Sequence, residues 1–182
     1  YGQSPLCMPS RASFMSGCYP TQTGLQVNGQ ELAADFPLTV ARALKPRYRT
    51  HQYGKLHFQN HHDHDLDPRA RHDYGFERMA LSEEPGCYDD AYTRWLAGAH
   101  PDLVDTFRVW RPFSHERLQE RRTFRILDAP WQASYSGWLG HMLSNHYSAW
   151  GGPFEPTFAH AGFYAPHPPL NPTREMMAPY AD

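Results

Sequence analysis

The chain has 182 residues, a length suited to one ordinary domain with a core of its own. Hydrophobic residues make up 40% and charged residues 20%, which excludes a disordered chain. A net charge of −2 gives no general attraction for nucleic acid or a membrane surface, and no apolar run reaches spanning length. Cys7, Cys18 and Cys87 are too few and too scattered for a disulfide framework or a zinc ribbon, although a Cys18–Cys87 bridge stays open. Seventeen prolines with 14% aromatic residues mark a loop-rich α/β protein, and twelve clustered histidines favour site chemistry over scaffolding. The chain opens at Tyr1 without an initiator Met and reads as cut from something longer.

In chain order, Ser4-Pro5-Leu6-Cys7-Met8-Pro9-Ser10-Arg11-Ala12-Ser13-Phe14-Met15-Ser16-Gly17 predicts a short helix. Pro9 suits a first turn, Ser10 and Ser13 can bond orphan backbone groups, and Gly17 is a natural stop. Cys7 stands at the mouth of that helix, facing unpaired N–H groups and the positive end of the dipole, which suits chemistry on an anion. Arg11, one turn further on, can point its guanidinium back at the same place. The stretch from Asp35 to Leu44 has helical spacing, with Leu38, Ala41 and Leu44 on one face and Pro46 ending it.

Tyr48 to Tyr53 alternates as a short strand and delivers Gly54-Lys55-Leu56-His57-Phe58 at its carboxyl end, where open α/β sheets bind ligands. Lys55 and His57 are two apart on an extended segment, so both are expected on one face. Gln59 to Asp73 lacks periodicity and predicts a loop, and Phe76 to Leu81 is a second apolar alternation. Ala91, Tyr92, Trp95 and Leu96 form the stripe of a buried helix face within 89–96. The charged stretch 100–128 reads as a peripheral insertion or surface loop, with Arg117, Arg121, Arg122 and Arg125 on a solvated face. From Ser134 to Trp150, Trp138, Leu139, Met142, Leu143, His146 and Tyr147 recur at core spacing, and Gly151-Gly152-Pro153 stops that helix. Pro156 to Tyr164 predicts a buried strand ending in Ala165-Pro166-His167-Pro168-Pro169-Leu170. Histidine motifs thus follow strands, an α/β pattern with one site above a mainly parallel sheet.

Three motifs carry a resemblance. Cys7-x-Pro9-Ser10-Arg11 with Ala12-Ser13 and Gly17 resembles the signature of the type I sulfatases, within the alkaline phosphatase superfamily. Gly54-Lys55-Leu56-His57 resembles that family's second signature, and Phe163 to Leu170 resembles its later Pro-His segment. The resemblance spans nearly all of the chain. It implies an alkaline-phosphatase-like sandwich with a mainly parallel central sheet flanked by helices. It also implies that residues 1–182 are a fragment of the N-terminal catalytic domain, without the first metal-binding strand and the C-terminal part.

The same resemblance implies a chemistry. Cys7 would be oxidised to formylglycine by a formylglycine-generating maturation enzyme. The hydrated aldehyde would attack the sulfur of a sulfate ester, release the alcohol or phenol, and then expel sulfate. Arg11 would hold the hydrated aldehyde, Lys55 would bridge it to sulfate, and His57 would act as base for the elimination. His167 would hold sulfate and help protonate the leaving group. The implied metal is calcium, with formylglycine from Cys7 as a ligand. The family's paired aspartates and further acidic residues have no counterpart here, so the isolated chain is expected to be inactive. Phosphonate monoester or phosphodiester hydrolysis is the nearest rival, since related enzymes use the same nucleophile motif. A non-catalytic metal-binding module would use His61-His62-Asp63-His64-Asp65-Leu66-Asp67, whose plainer reading is a solvated loop.

Overall fold

A computed structural model describes residues 2–59, 71–108, 124–148, 155–168 and 170–180. Three parallel strands form the centre: β1 (Arg49–Gly54), β2 (Arg78–Leu81) and β3 (Thr157–Gly162), in the order β2-β1-β3. Parallel strands need long crossovers, and the helices that supply them must bury apolar stripes on the sheet faces. Alternate residues of β3 show both faces covered: Phe158 packs with one apolar cluster and its neighbour Ala159 with the other. The first cluster gathers Met8, Ala12 and Met15 of α1 (Cys7–Ser16), Ala41 of α3 (Val40–Leu44), and Leu56, Phe58, Tyr74 and Phe76. A single turn of helix, α2 (Pro20–Thr23), follows α1. The second cluster gathers Tyr53, Tyr92 and Leu96 of α4 (Ala91–Ala99), Phe107 of α5 (Val104–Phe107), and Trp138 and Leu139 of α6 (Tyr135–Ser148). A last short helix, α7 (Arg174–Met177), lies near the end. Full burial of a side chain the size of Leu139 contributes about 1.5–3 kcal/mol, so each cluster can hold its helices against the sheet.

Local chemistry sets the helix starts. Asp90 caps α4, accepting from Thr93 N at 2.9 Å and from Ser82 Oγ at 2.6 Å, which joins the helix to the end of β2. Thr39 caps α3 through Arg42 N at 3.1 Å and donates to the Tyr74 carbonyl at 2.6 Å. Gly17 ends α1 in the left-handed conformation that glycine adopts without strain.

Several expectations are corrected. Leu38 lies outside α3 and is 58% exposed, leaving Ala41 as that helix's fully buried residue. Tyr147 is 55% exposed, because α6 buries mainly its first half. The alternation read at 48–53 is absent from the burial of β1: Thr50 through Gly54 are all buried, because helices cover both faces. His57 is not on an extended segment, since its φ is 62°. Neither Ser10 nor Ser13 caps α1: the cap residue is Leu6, without a side-chain bond, and Ser13 Oγ has no partner among the described residues. Among the described residues, Cys7, Cys18 and Cys87 form no disulfide. The His61–Asp67 cluster, Arg117, Arg121, Arg122 and Gly151-Gly152-Pro153 lie outside the described residues.

A seam of rings joins β1 to α6. The His51 and His146 ring centroids lie 4.5 Å apart, and Tyr53 Oη sits 2.9 Å from His146 Nδ1. Burial pushes both imidazoles below their ordinary pKa, and His146 lowers His51 further. The unfolded chain therefore takes up protons below pH 6.5 that the folded chain refuses, so stability is lost as pH falls through that range. Urea titrations are expected to give a lower midpoint at pH 5 than at pH 7, with a smaller difference in His51→Asn. In a second test, Gly162→Ala would drive its Cβ into the Lys55 carbonyl oxygen. It is expected to cost about 1–3 kcal/mol in the same titrations, whereas Gly98→Ala, with open space around it, is not destabilising.

Candidate active site

The register of the sheet brings two chain exits to one level. Gly54 pairs with Gly162, and Lys55 N donates to Gly162 O at 2.9 Å, so Lys55 and Phe163 leave their strands side by side. Arg11 of α1 spans them. Its Nη1 donates to the Lys55 carbonyl at 3.2 Å and its Nη2 to the Phe163 carbonyl at 3.5 Å. The guanidinium thus serves the strand exits with its fixed fork of donors, where the sequence suggested that it returns to Cys7.

Cys7 is the first residue of α1 and half-buried. The open helix end is satisfied from a distance by Asn28, whose Oδ1 accepts from Met8 N at 3.1 Å and from Cys7 Sγ at 3.4 Å. Cys7, Ser10, Arg11, Leu56 and His160 line a cavity of about 700 Å³.

Lys55 is 2% exposed. Its Nζ donates to the Glu83 carbonyl at 3.0 Å and lies 5.0 Å from the centroid of the Tyr164 ring. Burial pushes the amine below its ordinary pKa, and Arg11 adds to this, while Glu83, Glu84 and Cys7 act in the opposite direction. His57 is 6% exposed and holds a left-handed backbone, a conformation that costs a non-glycine residue on the order of 1–3 kcal/mol unless its surroundings enforce it. Its main-chain N–H donates to Glu83 Oε1 at 3.0 Å, and that of Leu56 does so at 3.3 Å.

His167 is exposed. Its Nδ1 lies 2.7 Å from the Pro168 carbonyl and 3.0 Å from Tyr164 Oη. A carbonyl can only accept, so Nδ1 carries the hydrogen and Nε2 of the neutral ring keeps its lone pair. Tyr164 connects this histidine to Lys55, touching one with its hydroxyl and the other with its ring face. Of the five residues named from sequence, Lys55 and His57 follow β1 and are buried beside both cavities without lining them, Cys7 and Arg11 line the first cavity, and His167 lies beyond β3. His167 faces a second cavity, of about 590 Å³, with Tyr92, Phe107, Tyr135, Tyr164 and Leu170.

Sequence reasoning missed three residues. Asn28 carries no local signal, since it acts across twenty positions. Glu83 follows β2 and is 1% exposed. His160 interrupts the otherwise small or apolar run of β3 around 158–162, which was a visible hint. Its Nδ1 lies 2.7 Å from Oε1 of the fully buried Gln52, whose Nε2 donates to the carbonyls of Tyr53 and Gly54. Nδ1 is thus the donor. Burial chiefly, and Arg11 as well, hold the His160 imidazole below its ordinary pKa. Among the described residues, no three His, Cys, Asp or Glu side chains are placed to hold a metal ion, so these residues do not fit a calcium cage.

Comparison with known proteins bears on the family and the fold. The Sulfatase family model matches residues 1–182. A choline-sulfatase of Rhizobium meliloti (strain 1021) is 40% identical over 58 residues, 32% of this chain and 11% of that protein. An ulvan-active sulfatase of Formosa agariphila is 35% identical over 69 residues, 37% of this chain and 13% of that protein. The matched stretches thus span a small part of these relatives. The crystal structure of a phosphonate monoester hydrolase of Agrobacterium radiobacter superposes with a TM-score of 0.62 at 20% identity, covering 94% of this chain and 34% of that one. The chain thus shares the fold of that part of the neighbour, with a parallel sheet between helices. With the family model matched from end to end, the chain belongs to the sulfatase family.

Proposed function

We propose that this chain carries part of the active site of a sulfuric ester hydrolase, with Cys7 as the precursor of its formylglycine nucleophile. The observation that supports this best is the Arg11 bridge. It ties the helix that begins at Cys7 to the exits of both strands that carry the Lys55-Leu56-His57 and Pro166-His167 motifs. Formylglycine, once formed, supplies a hydrated aldehyde whose hydroxyl can attack sulfur. The residues around it have the remaining tasks.

Arg11 sets the position of Cys7 relative to Lys55. The Lys55 ammonium spends one donor on the Glu83 carbonyl and brings fixed positive charge to the sulfuryl oxygens from a buried position. His57 accepts the proton released in the elimination step. His167 protonates the leaving oxygen as the imidazolium, returning to the neutral form in which Nε2 is an acceptor. Each of these roles falls to a side chain of this chain, whose described residues supply no cage for a metal. A sulfate ester is preferred over a phosphonate ester on the family match and on two relatives that are sulfatases by name, whereas the structural neighbour speaks for the fold alone.

Peptide mass spectrometry of the intact sulfatase that carries this chain is expected to show Cys7 converted from thiol to aldehyde. Cys7→Ala is expected to lower sulfate ester hydrolysis at least about a thousandfold, and unaltered turnover would refute the reading. Aryl sulfate and phosphonate monoester assayed side by side are expected to favour the sulfate, and the reverse preference assigns the chain to phosphonate hydrolysis. Isolated, the 182-residue chain is expected to show no turnover. Tyr164→Phe keeps the ring beside Lys55 but removes the hydroxyl beside His167. It is expected to lower kcat about ten- to a hundredfold with little change in KM.

A further inference from the structure

We propose that Glu83 is the positioning residue of the site, holding the whole Lys55-Leu56-His57 segment in its working conformation. This rests on the reading of Lys55 and His57 as catalytic groups. One residue grips all three. Glu83 Oε1 accepts from the main-chain N–H groups of Leu56 and His57, at 3.3 and 3.0 Å, and the Glu83 carbonyl accepts from Lys55 Nζ at 3.0 Å.

The sheet explains why this position does it. Gly54 pairs with Leu81 in the parallel ladder, and Ser82 N donates to Gly54 O at 3.4 Å. The two chains therefore leave the sheet together, and the residue two beyond β2 meets the first three residues beyond β1. A carboxyl group at 1% exposure is costly to keep out of water, so its place needs a compensating set of donors, and the turn at 55–57 provides one. The turn needs the acceptor equally. His57 has a φ of 62°, a conformation that a side-chain-bearing residue keeps only where neighbours enforce it. The residue before Glu83 is anchored twice. Adjacent Ser82 donates to Asp90, the cap of α4, and the Ser82 carbonyl accepts from Tyr135 Oη of α6 at 2.9 Å. Its charge also counts at Lys55: Glu83 and Glu84 favour the ammonium, as does Cys7, while Arg11 and burial oppose it.

Two variants separate positioning from bulk stability. In Glu83→Gln the amide oxygen still accepts both N–H groups, while in Glu83→Ala that acceptor is lost. Hydrogen exchange is read residue by residue on the full 182-residue chain. Glu83→Ala is expected to speed exchange at Leu56 and His57 at least about tenfold relative to Trp138 in α6, and Glu83→Gln to stay within about threefold of the parent chain. Should Glu83→Ala fail to fold, Glu83→Gln and Glu83→Asp carry the comparison, because the shortened Asp is expected to lose the protection that Gln keeps. In the intact sulfatase, Glu83→Ala is expected to lower kcat about a hundredfold at nearly constant KM, with Glu83→Gln restoring most of it. Unchanged exchange at Leu56 and His57 in a folded Glu83→Ala chain overturns the clamp. Faster exchange there, combined with full activity of Lys55→Met and His57→Ala enzymes, instead overturns the catalytic reading on which the clamp's role rests.

Discussion

The site depends on one close approach, that of β3 to the end of β1. Gly162 has no Cβ, and the Lys55 carbonyl oxygen stands where one would be. This contact keeps the parallel ladder in register to its last pair, and Lys55 N donates to the Gly162 carbonyl just beyond it. Both exits then lie within the span of one guanidinium. Were β3 held further away, Arg11 could reach one carbonyl or the other, but its two donors diverge by a fixed angle and cannot follow. The helix that begins at Cys7 takes its orientation from the same bridge.

Around that contact the protein buries charge in quantity. Lys55, Glu83 and Asp90 are each no more than 2% exposed. Such groups destabilise a fold when they stand alone, and here they interlock through backbone partners. Tyr135 Oη, lying 2.9 Å from the Ser82 carbonyl and 3.0 Å from that of Gly162, shares its proton between the exits of β2 and β3. Burial, the largest influence on that hydroxyl, keeps it protonated well above the ordinary tyrosine range. The aromatic cluster behind it, with Tyr92 and Trp138 within ring contact, stiffens the frame from the other side of the sheet.

The fold was legible in the sequence wherever a local rule governs it. Gly17 stops its helix, the stripe of Ala91, Tyr92, Trp95 and Leu96 forms one, and the strands before Lys55 and His167 lie where the pattern predicted. Arg11, Lys55, His57 and His167, read from three separate motifs, lie near neighbouring strand ends. What escaped were contacts between distant positions. Asn28 reaches back twenty residues to the start of α1, and Glu83 reaches across from the next strand. No period or spacing encodes such pairs, because tertiary register decides them. The turn at His57 escaped for the same reason: its backbone follows from an acceptor just beyond another strand, whereas a Lys-x-His pattern by itself suggests an extended chain. Tyr147 escaped because an amphipathic stripe tells which face is apolar, but not how far along the helix its neighbour extends.

Among the described strands, β3 is hydrogen-bonded on one side only, since the order is β2-β1-β3. Its outer row of N–H and C=O groups is a template for backbone pairing. The geometry of that template is directional. A segment adding there in parallel would finish level with Gly162 and would deliver whatever follows it beside Phe163, whose carbonyl Arg11 already holds. Side chains that follow such a segment would arrive at the end of the sheet where Arg11 stands, without any rearrangement of β1 or β2. An antiparallel segment would send them to the opposite end of the sheet, where Arg49 meets Glu77 and Glu155. Strand polarity at this one edge therefore determines whether a neighbouring element enriches the site or only covers the sheet.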